Sequence, residues 1–67
     1  MPERLYSARD VREAASEALG KVVGPWHVKH LLRAHPELRP ALWLSGRMVF
    51  TEAEKEGVVR GLWEGMR

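Results

Sequence analysis

Apolar positions recur along this chain at two different periods, and the change of period marks its elements. Between residues 7 and 20, Val11, Ala14, Ala15 and Ala18 repeat at spacings of three and four, separated by Arg12, Glu13, Ser16 and Glu17. That period predicts an amphipathic helix with one inward face. Ser7 offers an N-cap hydroxyl and Asp10 stands at the third helical position, an acidic variant of the capping box. Tyr6 before the cap and Val11 at the fourth position fit a hydrophobic staple. Gly20 supplies the stop.

Lys21–Gly24 reads as a connector. Pro25 then suits the first position of a second helix, where its missing N–H costs nothing. Over Pro25–Ala34, Val28, Leu31 and Leu32 form an apolar face, while Trp26, Lys29, His30 and Arg33 project to the opposite side. Pro36 forbids continuation, and Glu37–Pro40 is irregular. The period next drops to two. Ala41–Leu44 and Arg47–Phe50 flank Ser45-Gly46, which predicts a β-hairpin with Gly46 free to take a positive φ.

Thr51 and Glu54 make a complete capping box for a last helix. Its expected buried stripe is Val58, Val59, Leu62, Trp63 and Met66. Gly57, Gly61 and Gly65 fall every fourth residue on the other side, each costing about 1 kcal/mol relative to alanine in a helix interior. They point either to close approach of another helix or subunit, or to a merely tolerated weak helix end. Helical phase leaves Trp26 exposed and turns Trp63 inward, and the inward face of the hairpin is expected to take Trp43. The order is helix, helix, hairpin, helix: a mainly α chain with a small β-hairpin, read as one domain over residues 1–67 with no repeats.

Composition narrows the class. With 67 residues, 45% of them hydrophobic, there is material for one small core. Cysteine is absent, which excludes disulfides and thiolate metal sites. No stretch approaches the roughly 20 apolar residues of a membrane span, and Met1–Arg12 is polar and charged rather than leader-like. The expectation is a cytoplasmic, nucleoid-associated protein with no membrane partner. Asn, Gln and Ile are also missing and arginine dominates lysine. The lack of thermolabile amides suits a thermophile, and the same bias suits a GC-rich genome.

Charge distribution changes the picture more than the net value of +2. Residues 1–20 and 51–67 each balance to −1. Residues 21–50 set Lys21, Lys29, Arg33, Arg39 and Arg47 against Glu37 alone, and hold all three histidines. Cations gathered on one segment are what a polyanion contact needs.

Three stretches, taken in order, resemble the winged helix-turn-helix DNA-binding domains of the MerR and phage-excisionase group. They are Leu5-Tyr6-Ser7-Ala8-Arg9-Asp10-Val11, Gly24-Pro25-Trp26-His27-Val28-Lys29-His30-Leu31-Leu32, and Ser45-Gly46-Arg47-Met48-Val49-Phe50-Thr51-Glu52. The family pattern is a Tyr-led helix start, a Ser-Pro-x-Thr-Val-Arg-Arg-like recognition helix, and a Gly-Arg wing running into an aromatic-Thr/Ser-Glu helix start. The first helix and turn are longer here than the family's spacing. Lys29-His30 replaces the arginine pair, and Gly24 and His27 replace the Ser and Thr, removing a hydroxyl cap. The resemblance implies a recognition helix over Pro25–Ala34 in the major groove and a wing tip on the backbone.

Each candidate has a plainer counterpart. Trp26, His27, Lys29, His30 and Arg33 form a DNA-contacting set, against a solvated cationic face with no partner. An exposed tryptophan and the clustered charge favour the first. Arg47 is the wing contact to phosphate or minor groove, against an ordinary solvated turn residue. His27, His30 and His35 lack a cysteine or acidic residue to complete a metal set, so no metal or cofactor is expected. No catalytic set of hydroxyl, base and acid appears, so an enzyme is not expected.

The reading is therefore sequence-preferring binding of double-stranded DNA, as an excisionase-like architectural factor or small transcription regulator. Self-association or tandem binding on DNA, and a recombinase, packaging or transcription protein as partner, fit the same reading. The alternative is a protein-interaction module, phage-encoded or otherwise, docking through its Trp/Arg face.

Overall fold

A computed structural model describes residues 4–66. It is mainly helical with a small antiparallel sheet. The elements run β1 (Tyr6–Ser7), α1 (Ala8–Leu19), α2 (Pro25–Ala34), a 3₁₀ turn (Pro36–Leu38), β2 (Leu42–Leu44), β3 (Arg47–Phe50) and α3 (Glu52–Met66).

The helix starts are set by local side-chain chemistry. The amide of Asp10 donates to Ser7 Oγ at 3.2 Å, and the Ser7 amide donates back to the Asp10 carboxylate at 3.0 Å. At α3 the same reciprocal box joins Thr51 and Glu54, at 3.2 and 2.9 Å. Two free N–H groups are satisfied at each start. Gly20 closes α1 with φ of 71° in the left-handed region, its amide reaching Ser16 O. Ser16 Oγ then accepts the Val23 amide at 2.9 Å, pinning the turn into α2.

The sheet is ordered β1-β3-β2. Ser45 and Gly46 both take positive φ, 51° and 75°. A two-residue turn of this hand matches the twist of the strands it joins. The register sets Tyr6 opposite Phe50, Trp43 opposite Met48 and Leu44 opposite Arg47. Phe50, Met48, Trp43 and Tyr6 thus share one face, and Leu42, Leu44, Val49 and Arg47 the other.

The inward faces meet in one core: Val11 and Ala15 of α1, Val23 of the turn, Val28 and Leu32 of α2, Phe50 of β3, and Val58 and Leu62 of α3. Each helix contributes residues spaced four apart, in keeping with its amphipathic pattern.

Three features depart from the sequence expectations. The first is β1, a third strand that the hairpin pattern does not announce. The second is Trp43, which takes the inward face as expected yet stays 53% exposed. It lies beyond the end of the core, in a cleft with Ser7, Ala8, Arg9 and Arg47. The third is Trp63, expected in the buried stripe and 47% exposed. It sits at one end of a groove that Ala14 and Ala18 of α1 are too small to fill. Val59 is half-buried in the same groove, and the side chain of Met66 lies outside the described residues.

Of the two readings of the glycines, close approach of another helix holds at Gly61. A Cβ at Gly61 would stand 3.1 Å from both terminal carbons of Leu31 and 3.3 Å from Leu38. Gly57 also faces Leu38, while Gly65 faces open space. Close approach of α2 and the 3₁₀ turn of the same chain therefore accounts for Gly61, the tightest of the three.

Candidate nucleic-acid interface

The exposed side of α2 follows from its buried side. With Val28 and Leu32 in the core, helical geometry turns Trp26, Lys29, His30 and Arg33 outward. These four line one shallow cavity of about 140 Å³. All are exposed, Trp26 at 58%. Among the described residues, neither Lys29 nor Arg33 has a carboxylate within ion-pair distance. The first turn of α2 carries no acidic residue, whereas α1 has Asp10 and α3 has Glu52 and Glu54 there. The positive end of the α2 dipole is thus left uncompensated by any acidic side chain of its own first turn.

His27 has a role that its sequence position does not announce. The N-cap residue Gly24 has no side chain with which to cap. Instead its backbone N–H donates 2.9 Å to His27 Nδ1. An accepting Nδ1 is unprotonated, so in the neutral ring the proton sits on Nε2. The imidazole also stacks on the indole of Trp26, ring centroids 3.7 Å apart and planes inclined by 28°. His30 meets the same indole edge-on at 5.7 Å. The aromatic part of the face is therefore one interlocked group.

Arg47 stands apart from this cluster. It is exposed at the hairpin tip, with no ion pair among the described residues, and shares its cleft with Arg9, Trp43 and the N-terminal cap of α1. Of the six residues expected to form the site, five are brought together on α2 and the sixth lies in a separate cleft. His35 ends α2 through its backbone amide to Leu31 O at 2.8 Å, and its ring lies 3.2 Å from Glu37. Among the described residues, no three His, Asp or Glu side chains gather as a metal-ligand set.

The remaining charged groups hold the frame. The Tyr6 hydroxyl donates to Glu52, which ties β1 to α3 and lowers the Glu52 carboxyl below its ordinary range, with Lys55 assisting at 3.3 Å. Lys55 Nζ also stands 4.3 Å over the Tyr6 ring. Glu54 accepts the Ala41 amide at 3.2 Å, binding the hairpin to α3. Backbone donation from Thr51 holds the Glu54 carboxyl low, and Ser7 does the same for Asp10. These acids are committed to caps and cross-links.

Comparison with protein families, characterised proteins and solved structures finds no match for this chain. No described helix is long and apolar enough to cross a membrane.

Proposed function

We propose that this chain binds duplex DNA as a winged helix-turn-helix domain, with α2 in the major groove and the β2–β3 hairpin as a wing on the flanking backbone. One observation carries the reading: the outward face of α2 presents Lys29 and Arg33 without an intramolecular carboxylate among the described residues, beside an exposed Trp26. Cations left unpaired on a chain with nine acidic residues suit an external polyanion. A ten-residue helix is about 15 Å long, a size the major groove admits. Arg47 at the hairpin tip suits a phosphate or minor-groove contact that positions rather than specifies. The output is architectural or regulatory, as for an excisionase-like factor or a small transcription regulator. The test is selection of bound sites from a random duplex library. A recurrent motif supports the reading, and an unenriched pool overturns its sequence preference.

A second reading, docking on a protein partner, is favoured by a different surface. The groove between α1 and α3, about 610 Å³, is lined by Ala14, Ala18, Val59 and a half-exposed Trp63 beside Arg60. Tryptophan and arginine are among the residues that most often anchor protein interfaces. Salt separates the two readings, because apolar docking lacks the steep ionic-strength dependence of DNA binding.

A further inference from the structure

The DNA reading leaves Trp26 without a task, because an indole neutralises no phosphate. Yet its ring is held in place with unusual care for an exposed side chain. His27 stacks on one face at 3.7 Å, and His27 is itself fixed by the Gly24 amide. His30 closes in edge-on. The pyrrole edge lies over Gly24, where a Cβ would stand only 3.2 Å from Cδ1 and Nε1. A side chain at this position would require the ring to shift by a few tenths of an ångström. The pyrrole edge of the indole thus lies beside its own chain, while the side chain as a whole remains 58% exposed. Ordering costs that a flexible side chain would incur on binding are already met.

Trp26 is the second residue of α2, and the N-terminal residues of a recognition helix are the ones that reach base edges. Among the groups on the major-groove floor, hydrogen-bond donors and acceptors predominate. The apolar one is the 5-methyl group of thymine. Resting on the DNA reading above, we propose that Trp26 reads a pyrimidine 5-methyl group, so that the preferred ligand is duplex carrying thymine or 5-methylcytosine at the position facing the start of α2. Lys29 and Arg33, one and two turns further along, hold the helix in the groove while the indole covers the methyl.

The probes are labelled duplexes of equal length: alternating dA–dT, the same duplex with deoxyuridine for thymidine, and a G·C duplex with cytosine or 5-methylcytosine. Fluorescence anisotropy at fixed salt is the readout. Covering one methyl-sized group corresponds to about a fourfold gain in affinity. The wild type is expected to bind the thymine duplex about fourfold more tightly than the uracil duplex, and to gain similarly from cytosine methylation. Trp26→Ala, checked for folding by its melting curve, is expected to bind both members of each pair equally. Trp26→Phe is expected to keep the preference and covers the case in which the alanine variant does not fold. Equal affinity of the wild type for thymine and uracil duplexes, with binding still salt-sensitive, overturns the methyl assignment and leaves the DNA reading standing. A preference that survives in Trp26→Ala overturns the role of Trp26. Absence of binding to every duplex overturns both.

Discussion

Helices α1 and α2 are alike in size and in the core they share, and they differ in what they turn outward. α1 presents Arg9 paired with Glu13 at 3.3 Å, with Asp10 and Glu17 nearby, and its N-terminus is closed by Ser7 and Asp10. Its two arginines are outnumbered by three acids. α2 presents Lys29, His30 and Arg33 with no acid among them, and its N-terminus is closed by the imidazole of His27. The two helices are thus alike in burial and unequal in charge balance. Exposed ion pairs such as Arg9–Glu13 contribute little to stability, so the charge difference between the two faces matters little for folding and bears on the proposed binding alone.

The difference can be broken most directly by removing charge from one side and then another. Lys29→Ala with Arg33→Ala should weaken duplex binding by about 1–3 kcal/mol if either reads a base edge. The salt dependence should become shallower by about 0.9 for each phosphate that is no longer neutralised. Removing two charges instead through Arg12→Ala and Arg60→Ala, outside the α2 face, should leave affinity within a factor of about two, as distant surface charges are screened. If both double variants weaken binding equally, charge is read in bulk and α2 has no special place.

The capping chemistry gives the next effect. His27→Ala strips the only side-chain bond at the start of α2 among the described residues and should cost about 1 kcal/mol, read as a lower melting temperature. His27→Asn, which can still accept the Gly24 amide, should recover part of it. An alanine variant that melts with the wild type would show that the imidazole does not cap.

Acid should also act on the caps of α1 and α3. The carboxyls of Asp10 and Glu54 are held below their ordinary values of 3.8 and 4.5. A lowered folded-state value means their contribution is fully present above the ordinary value and is lost as pH falls through the folded one. The contribution of these two carboxyls to the melting temperature should therefore be constant above about pH 5 and decline below about pH 4. Asp10→Asn with Glu54→Gln should flatten that fall, and an unchanged acid limb would place the acid sensitivity elsewhere.

Smallest of all should be the stability change at the hairpin tip. Arg47→Ala should alter stability by no more than about 0.5 kcal/mol, because the side chain is exposed, outside the core and without an ion pair among the described residues. It should still reduce DNA affinity to a similar extent on all sequences, as a backbone contact does. A melting temperature several degrees lower with normal binding would make Arg47 structural.

What is legible in the sequence and what is not divide along the range of the interactions involved. The Ser7–Asp10 and Thr51–Glu54 boxes span three residues, so their chemistry is visible in a short window, and both form in the structure. The boundaries of α2 at Pro25 and Ala34 are equally local. By contrast, β1 consists of two residues whose partner strand is most of the chain away, and nothing near Tyr6 and Ser7 announces it. Trp43 and Trp63 escape a periodic reading for a related reason. Face can be read from periodicity, but burial depends on whether the rest of the chain supplies a cover. The core consists of six valines and leucines, one alanine and one phenylalanine, and it does not extend to either indole.

The cap on α2 is hidden because the family-like hydroxyl belongs at Gly24, whereas the acceptor comes from three residues further on. The pair Gly24 and His27 is the signal that could have found it. Gly61 likewise carries a detectable mark, its spacing, but the neighbour it admits lies on another element.

Whether α2 meets a polyanion is the central question, and affinity for a random-sequence duplex measured across a salt series addresses it without knowledge of any target. With Lys29, Arg33 and Arg47 each displacing a counterion, log affinity should fall linearly with log salt at a slope of about −2.7. Binding that is absent at low salt, or that is present and indifferent to salt, would contradict the assignment of the α2 face to DNA.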